Sequence, residues 1–220
     1  LDFIPPELRE AGTALGTPLP RLLERGDLRG LLHCHTTYSD GSNSVAELAA
    51  ACAVEGYAYL GITDHSRAAA YAGGMQPDDI RRQWDEIDAV NAANPGIRVL
   101  KGIESDILVD GALDYDDDLL AGFDFVIGSI HSRFTLTREE MTDRVCRAME
   151  SPYFTILGHP TGRLLLAREP YAIDLDRVFA VAAERKVAIE INADPHRLDL
   201  DWRVLRAARA AGVMISAAVG

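Results

Sequence analysis

The sequence predicts an α/β chain closed into a (β/α) barrel, and three observations carry that prediction. Seven apolar runs of strand length recur along the chain, helix-length segments with 3.6-residue periodicity lie between most of them, and the histidines cluster where the runs end. At 220 residues, 48% hydrophobic and 25% charged, the chain can bury one core of barrel size.

In chain order, Pro5, Pro6, Pro18 and Pro20 predict a linker over residues 1–28 with room for one short helix, and a single domain over 29–220. The strands are predicted at "GLLHCH", "YAYLGITDH", "IRVLKGIESDI", "FDFVIGSIH", "FTILGHP", "VAIEINAD" and "VMISAAVG". The helices are predicted at "SVAELAAACAVEG", "PDDIRRQWDEIDAVNAA", "TREEMTDRVCRAME", "DLDRVFAVAAERK" and "DWRVLRAARAAG". Only the acidic "DGALDYDDDLLAG" precedes the fourth strand; it lacks the spacing and closing Glu of an EF-hand and reads as a solvated turn entering a helix. An open doubly wound sheet is the competing arrangement, but neither a GxGxxG nor a GxxxxGK[ST] motif is present.

Composition narrows the function. No apolar run approaches the roughly 18 to 20 residues that span a bilayer, and "LDFIPPELRE" is unlike a signal peptide, so a cytoplasmic protein is expected. Cys34, Cys52 and Cys146 are odd in number and widely spaced, which predicts reduced structural thiols. A net charge of -12 disfavours autonomous binding to a phosphate backbone, although bound cations would reverse the sign locally.

Histidine placement carries the chemistry. His33 and His35 close the first predicted strand, His65 the second, Glu104 the third, His131 the fourth and His159 the fifth. In parallel barrels the C-terminal strand ends converge on one mouth, and five histidines sharing it would be costly without a cation. Strand alternation turns His33 and His35 the same way and Cys34 outward into the helix layer. A bridging carboxylate such as Glu104 would let two ions approach within about 4 Å. Asp40, in the turn "YSDGS", joins them as a candidate ligand, whereas Asp64, adjacent to His65, is expected to face away and act structurally.

"HCH" with "SDG", then "TDH", "GIESD", "GSIHS" and "GHPTGRLL", resembles the polymerase and histidinol phosphatase (PHP) family of metal-dependent phosphoesterases, from about Arg29 onward. "IPPELRE", "DILVDGALDY" and "EINADPHRLDLDW" narrow the resemblance to the C-terminal PHP module of bacterial and archaeal family X DNA polymerases. The resemblance implies a distorted (β/α)7 TIM-like barrel with two to three divalent ions, Mn2+ or Zn2+ first and iron compatible. It assigns His33, His35 and Glu104 to one metal, Glu104, His131 and His159 to a second, and Asp40 and His65 to a third. It implies hydrolysis of DNA phosphodiesters at 3' ends, with Glu104 and His131 in the catalytic centre and a polymerase domain attached on the N-terminal side. In that setting the protein would be associated with the nucleoid.

Arg163 in "GHPTGRLL" is the candidate phosphate clamp and catalytic cation, because guanidinium matches phosphate oxygens bidentately; Asn192 and Arg197 are candidates for lining the mouth. The family pattern expects an Asp-x-His after the seventh strand, but "GVMISAAVG" ends the chain, which therefore reads as a fragment or excised module. Two other functions remain open at this stage: a small-molecule phosphomonoesterase of histidinol-phosphatase type, and a metal-stabilised structural or partner-binding module with an incomplete site. An amidohydrolase barrel also begins with HxH, but His65 and Glu104 at the second and third strand ends disfavour it.

Overall fold

The computed structural model describes residues 21, 23–93 and 96–218, so most of the expected linker lies outside the described residues. Seven strands form one sheet in sequence order, each parallel to the next: β1 (Gly30–Cys34), β2 (Tyr59–Ile62), β3 (Arg98–Asp106), β4 (Phe125–Ser129), β5 (Phe154–Leu157), β6 (Ala188–Asn192) and β7 (Met214–Ala218). Last strand and first lie side by side, so the sheet curls into a nearly closed (β/α)7 barrel. The alternating pattern of the sequence is thereby realised with every strand inside its predicted run.

The connecting helices are α1 (Val45–Val54), α2 (Pro77–Ala93), α3 (Asp117–Leu120), α4 (Arg138–Ala148), α5 (Leu175–Arg185) and α6 (Leu205–Ala210). Local chemistry sets their starts. Ser44 with Glu47, and Thr137 with Glu140, form reciprocal capping boxes on α1 and α4, and the Asp174 carboxylate caps α5. The acidic stretch before β4 is a single helical turn, capped by Asp116.

Packing divides into an outer layer and an inner plug. Between strands and helices, Val45, Ala49, Ile87 and Val90 of α1 and α2 pack on Leu60 and Ile62, while Met141, Val145, Val178 and Phe179 of α4 and α5 pack on Val126 and Leu157. Inside the barrel, Phe125, Ile127 and Ile156 pack with Leu32, Leu100 and Ala188 at the N-terminal end. Glycine makes room for that plug: a Cβ on Gly61 or Gly102 would stand 2.6 Å from the Phe125 ring.

One local departure bears on the mouth. Leu31 packs outward with the α1 and α2 cluster and Leu32 inward with the plug, yet His33 also points inward. The β1–β2 register slips between Leu31 and Cys34, and His33 sits at φ 65, in the left-handed region. His33 thus acts as an inserted residue that resets the alternation. Cys34 then packs outward as expected, and burial pushes its thiol up to about 12.

Candidate metal centre

Five imidazoles ring one carboxylate at the barrel mouth. Their centroids follow one another at 5.3 Å (His33–His35), 4.5 Å (His35–His65), 5.1 Å (His65–His131), 5.2 Å (His131–His159) and 5.8 Å (His159–His33). Glu104, fully buried on β3, occupies the middle. Its Oε1 lies 3.1 Å from His33 Nε2, 2.9 Å from His159 Nε2 and 3.4 Å from His131 Nε2. Its Oε2 lies 3.0 Å from His65 Nδ1 and 3.7 Å from His35 Nε2. Asp40, 49% exposed, reaches in from the loop after β1, 3.5 Å from both His35 Nδ1 and His65 Nε2.

Three overlapping groups in this ring have ligand atoms close enough to hold an ion: His33, His35 and Glu104; His35, Asp40 and His65; and His65, Glu104 and His131. The first is the trio expected for one metal. In the others His35 joins Asp40 and His65, and His65 takes the place beside Glu104 and His131 that was expected for His159. The donors fit divalent cations: neutral imidazole and carboxylate suit Zn, Mn and Fe. Buried nitrogens also lack protein partners. His35 Nδ1, His65 Nδ1 and His159 Nδ1 make no hydrogen bond, although the first two lie near carboxylates. Buried polar atoms are rarely left so, and a cation would satisfy those that face the carboxylates.

A second layer of carboxylates orients the ring. Glu190 on β6 stands 2.5 Å from His33 Nδ1 and accepts the backbone N–H of His159 at 2.6 Å, while Asp106 on β3 stands 2.6 Å from His131 Nδ1. Such contacts fix which ring nitrogen faces the metal. Both acids were missed in the sequence. The signals were an acid inside the apolar "AIEIN", which burial obliges to have a partner, and an acid two residues after Glu104 on the same strand face. Asp64 does face away from the ring. Its buried carboxylate accepts Thr36 N–H and Ser39 Oγ–H on one oxygen, and Thr36 Oγ–H and Gln83 Nε2–H on the other, which fastens the loop that presents Asp40.

Without a cation, these neighbours sort the imidazoles. For His33 and His131 burial pulls the pKa down, but Glu190 and Glu104 for the first, Glu104 and Asp106 for the second, outweigh it; His33 is held well above the usual range and His131 rises to about 9. Burial dominates at His35, which drops to about 4, and at His159, which is also lowered. Burial pushes Glu104 up, but His33 and His131 hold it well below the usual carboxylate range.

The remaining candidates divide. Arg197 lines the cavity with the ring, Asp40 and Tyr71; this cavity measures about 200 Å³, and Arg197 Nη1 is buried with no partner. Arg163 is not brought to the cluster: its guanidinium donates to the Arg197 carbonyl at 2.9 Å, to the Leu198 carbonyl, and to Asp201 at 2.6 Å. Those acceptors engage all three of its nitrogens, so it secures the Arg197–Asp201 loop. Asn192 is buried at the end of β6 outside the cavity lining; its Oδ1 accepts the N–H of Asp194, and its Nδ2 has no partner.

Fold and site together define an α/β barrel with clustered candidate metal ligands at its mouth. The chain belongs to the PHP family: the PHP domain model matches residues 32–194, and the family is one of metal-dependent phosphoesterases. Over 217 residues it is 44% identical to the DNA polymerase/3'-5' exonuclease PolX of Bacillus subtilis (strain 168), covering 98% of this chain and 38% of that protein. It is 29% identical over 164 residues to a probable phosphatase of Acetivibrio thermocellus, covering 73% of this chain and 63% of that one. Among solved structures, histidinol phosphate phosphatase from Lactococcus lactis, complexed with zinc, L-histidinol and phosphate, superposes with a TM-score of 0.61 at 15% identity, over 87% of this chain and 85% of that one. That likeness speaks to the fold. Among the described residues no helix is long and apolar enough to cross a membrane.

Proposed function

We propose that this chain is the metal-dependent phosphoesterase module of a family X DNA polymerase, hydrolysing phosphodiesters at DNA 3' ends. The observation that carries the reading is the ring of five imidazoles about Glu104, which offers overlapping sites for two to three ions beside an arginine. The likeness to PolX along nearly the whole chain supports DNA as substrate and a polymerase domain as covalent partner. Bound divalent cations, manganese or zinc, would supply Lewis acidity and lower the pKa of water.

The protein's own groups do the rest. Glu104 would be the carboxylate shared among the cations, His33, His35, Asp40, His65 and His131 would complete the ligand set, and His159 Nε2, 2.9 Å from Glu104 Oε1, would support Glu104. Asp106 keeps the Nδ1 side of His131 occupied, leaving Nε2 facing Glu104, where it would be free to bind a cation. Arg197 receives the non-bridging phosphate oxygens, and Arg163 keeps its loop in place. Purified protein with Mn2+ is expected to release nucleotides from the 3' end of a labelled primer, and the His33→Ala, His35→Ala double variant is expected to release none; equal rates in both would defeat the reading.

The small cavity favours a second reading, a phosphomonoesterase for small molecules. Turnover of L-histidinol phosphate with no attack on the primer would select it.

A further inference from the structure

A cavity of about 200 Å³ shared among metal ligands and Arg197 has space for a phosphoryl group but not for a nucleoside as well. Whatever is esterified to the phosphate must lie over the rim. Tyr71 stands there. Its ring lines the cavity with its centroid 6.1 Å from that of His65 and 6.2 Å from that of His131, yet it is 72% exposed. Its hydroxyl makes no hydrogen bond among the described residues, so neither packing nor polar satisfaction within the fold accounts for a tyrosine here.

The turn that carries it is rigid. Tyr71 occupies the middle of a 3-10 turn, Ala70–Ala72, flanked by the buried Ala69 and Ala72. Ala69 N–H donates to the Ser66 carbonyl at 3.0 Å and Met75 N–H to the His65 carbonyl at 2.9 Å, which ties both ends of the turn to the strand end bearing His65. Gly73 closes it at φ 72, and a Cβ on Gly74 would stand 2.0 Å from the Ser66 carbonyl oxygen. The backbone fixes the point from which the ring projects, so that stacking needs to order only the Tyr71 side-chain torsions. A pre-placed, uncovered aromatic face beside a phosphate site is what stacking on a planar ring requires.

We propose that Tyr71 is a stacking platform for the planar heterocycle of the phosphate ester, which makes this site selective for nucleotides over sugar phosphates that carry no planar base. The inference rests on the phosphoesterase reading above and adds the substrate class. Tyr71 is a specificity-determining residue here: it contacts the group carried by the phosphate and leaves phosphorus to the ring of ligands.

The test is calorimetric binding of dTMP, 2-deoxyribose 5-phosphate and L-histidinol phosphate to the Mn2+-loaded full chain, in wild type, Tyr71→Ala, Tyr71→Phe and Tyr71→Trp. Wild type is expected to bind dTMP about tenfold more tightly than the sugar phosphate. Tyr71→Phe and Tyr71→Trp should keep that ratio, and Tyr71→Ala should bring it close to one with metal content and Tm unchanged. A gain for dTMP larger than for L-histidinol phosphate assigns the platform to a nucleobase; the reverse order overturns that assignment. Equal binding of dTMP and sugar phosphate by wild type, a ratio that survives in Tyr71→Ala, or a Tyr71→Phe variant as impaired as Tyr71→Ala would each overturn the platform. Primer hydrolysis by wild type, measured alongside, separates the two readings: if it persists while the dTMP preference is absent, only the platform falls.

Discussion

The two ends of the barrel interior are lined by the same strands with opposite chemistry. At the N-terminal end Leu32, Leu100, Phe125, Ile127, Ile156 and Ala188 form an apolar plug. At the C-terminal end, one to six residues further along these strands, stand His33, Glu104, Asp106, Glu190 and the histidines that follow β4 and β5, joined by the one that follows β2. The plug gains free energy from every buried carbon. The mouth spends it: charges are desolvated, and His33 and His159 sit at φ 65 and φ 22, where L residues are strained. The apolar end thus stabilises a barrel whose other end holds groups that are costly to bury and suited to a cation.

Substitution at each end should therefore fail in a different way. The largest effect is expected at the hub. Glu104→Ala removes the one anion shared by five imidazoles and two of the three ion-binding groups, so metal analysis should find the variant nearly metal-free and primer hydrolysis should fall roughly a thousandfold. Retention of full metal content would break the contrast. Phe125→Ala is its counterpart in the plug. It should cost about 3–5 kcal/mol of stability in denaturant titration, because Gly61 and Gly102 cannot fill the space left by the ring. Metal stoichiometry of the folded protein should not change.

Intermediate effects belong to the acids behind the ring. Glu190→Gln and Asp106→Asn leave every proposed ligand in place but no longer hold His33 and His131 as charged acceptors, and each should weaken metal binding by about 10- to 100-fold in a competition titration with a chelator. Wild-type affinity in both would reduce these acids to buried ballast.

How much of this contrast was legible differs between strand and loop. Strand positions and their polar ends follow from apolar runs closed by His or Glu, because a barrel converts position along a strand into depth in its interior. Alternation also correctly sent Cys34 and Asp64 away from the mouth. What it could not show is the slip at His33, since a bulge leaves no mark in a run as short as "GLLHCH". The pairing of ions with ligands was equally hidden: His35 and His65 are adjacent only because β1 and β2 are, and Asp40 joins them only because Asp64 fastens its loop. Arg163 attracted attention by residue type alone. The loop after β6 folds back on it and offers it backbone carbonyls, and Arg197, less conspicuous in sequence, is left with a free donor at the cavity.

The smallest expected effect is also the one most specific to the mouth, and it turns on sign. In the metal-free protein His33 and His131 have raised pKa values, the latter about 9, against roughly 6.5 in an unfolded chain. Groups raised on folding stabilise fully below the unfolded value and lose that contribution as pH climbs through the folded one. His35 and His159 are lowered instead, so both are neutral in folded and unfolded chains above roughly 7.5, a unit past the unfolded value, and add no slope there. Between roughly pH 7.5 and 9 the Tm of chelator-treated protein should therefore decline, by roughly 5 °C. Metal binding requires neutral imidazoles, so over the same interval the cation displaces protons from His33 and His131 and affinity rises with pH; at saturating Mn2+ neither the folded nor the unfolded chain holds these protons, and the Tm should stay level. A falling Tm without metal and a level one with it are the expected outcome of paired melting curves. The Phe125→Ala variant should show the same pair of slopes at lower temperature, because the plug contributes no titrating group, and parallel slopes in the two conditions would mean that the imidazole ring is not where the ions bind.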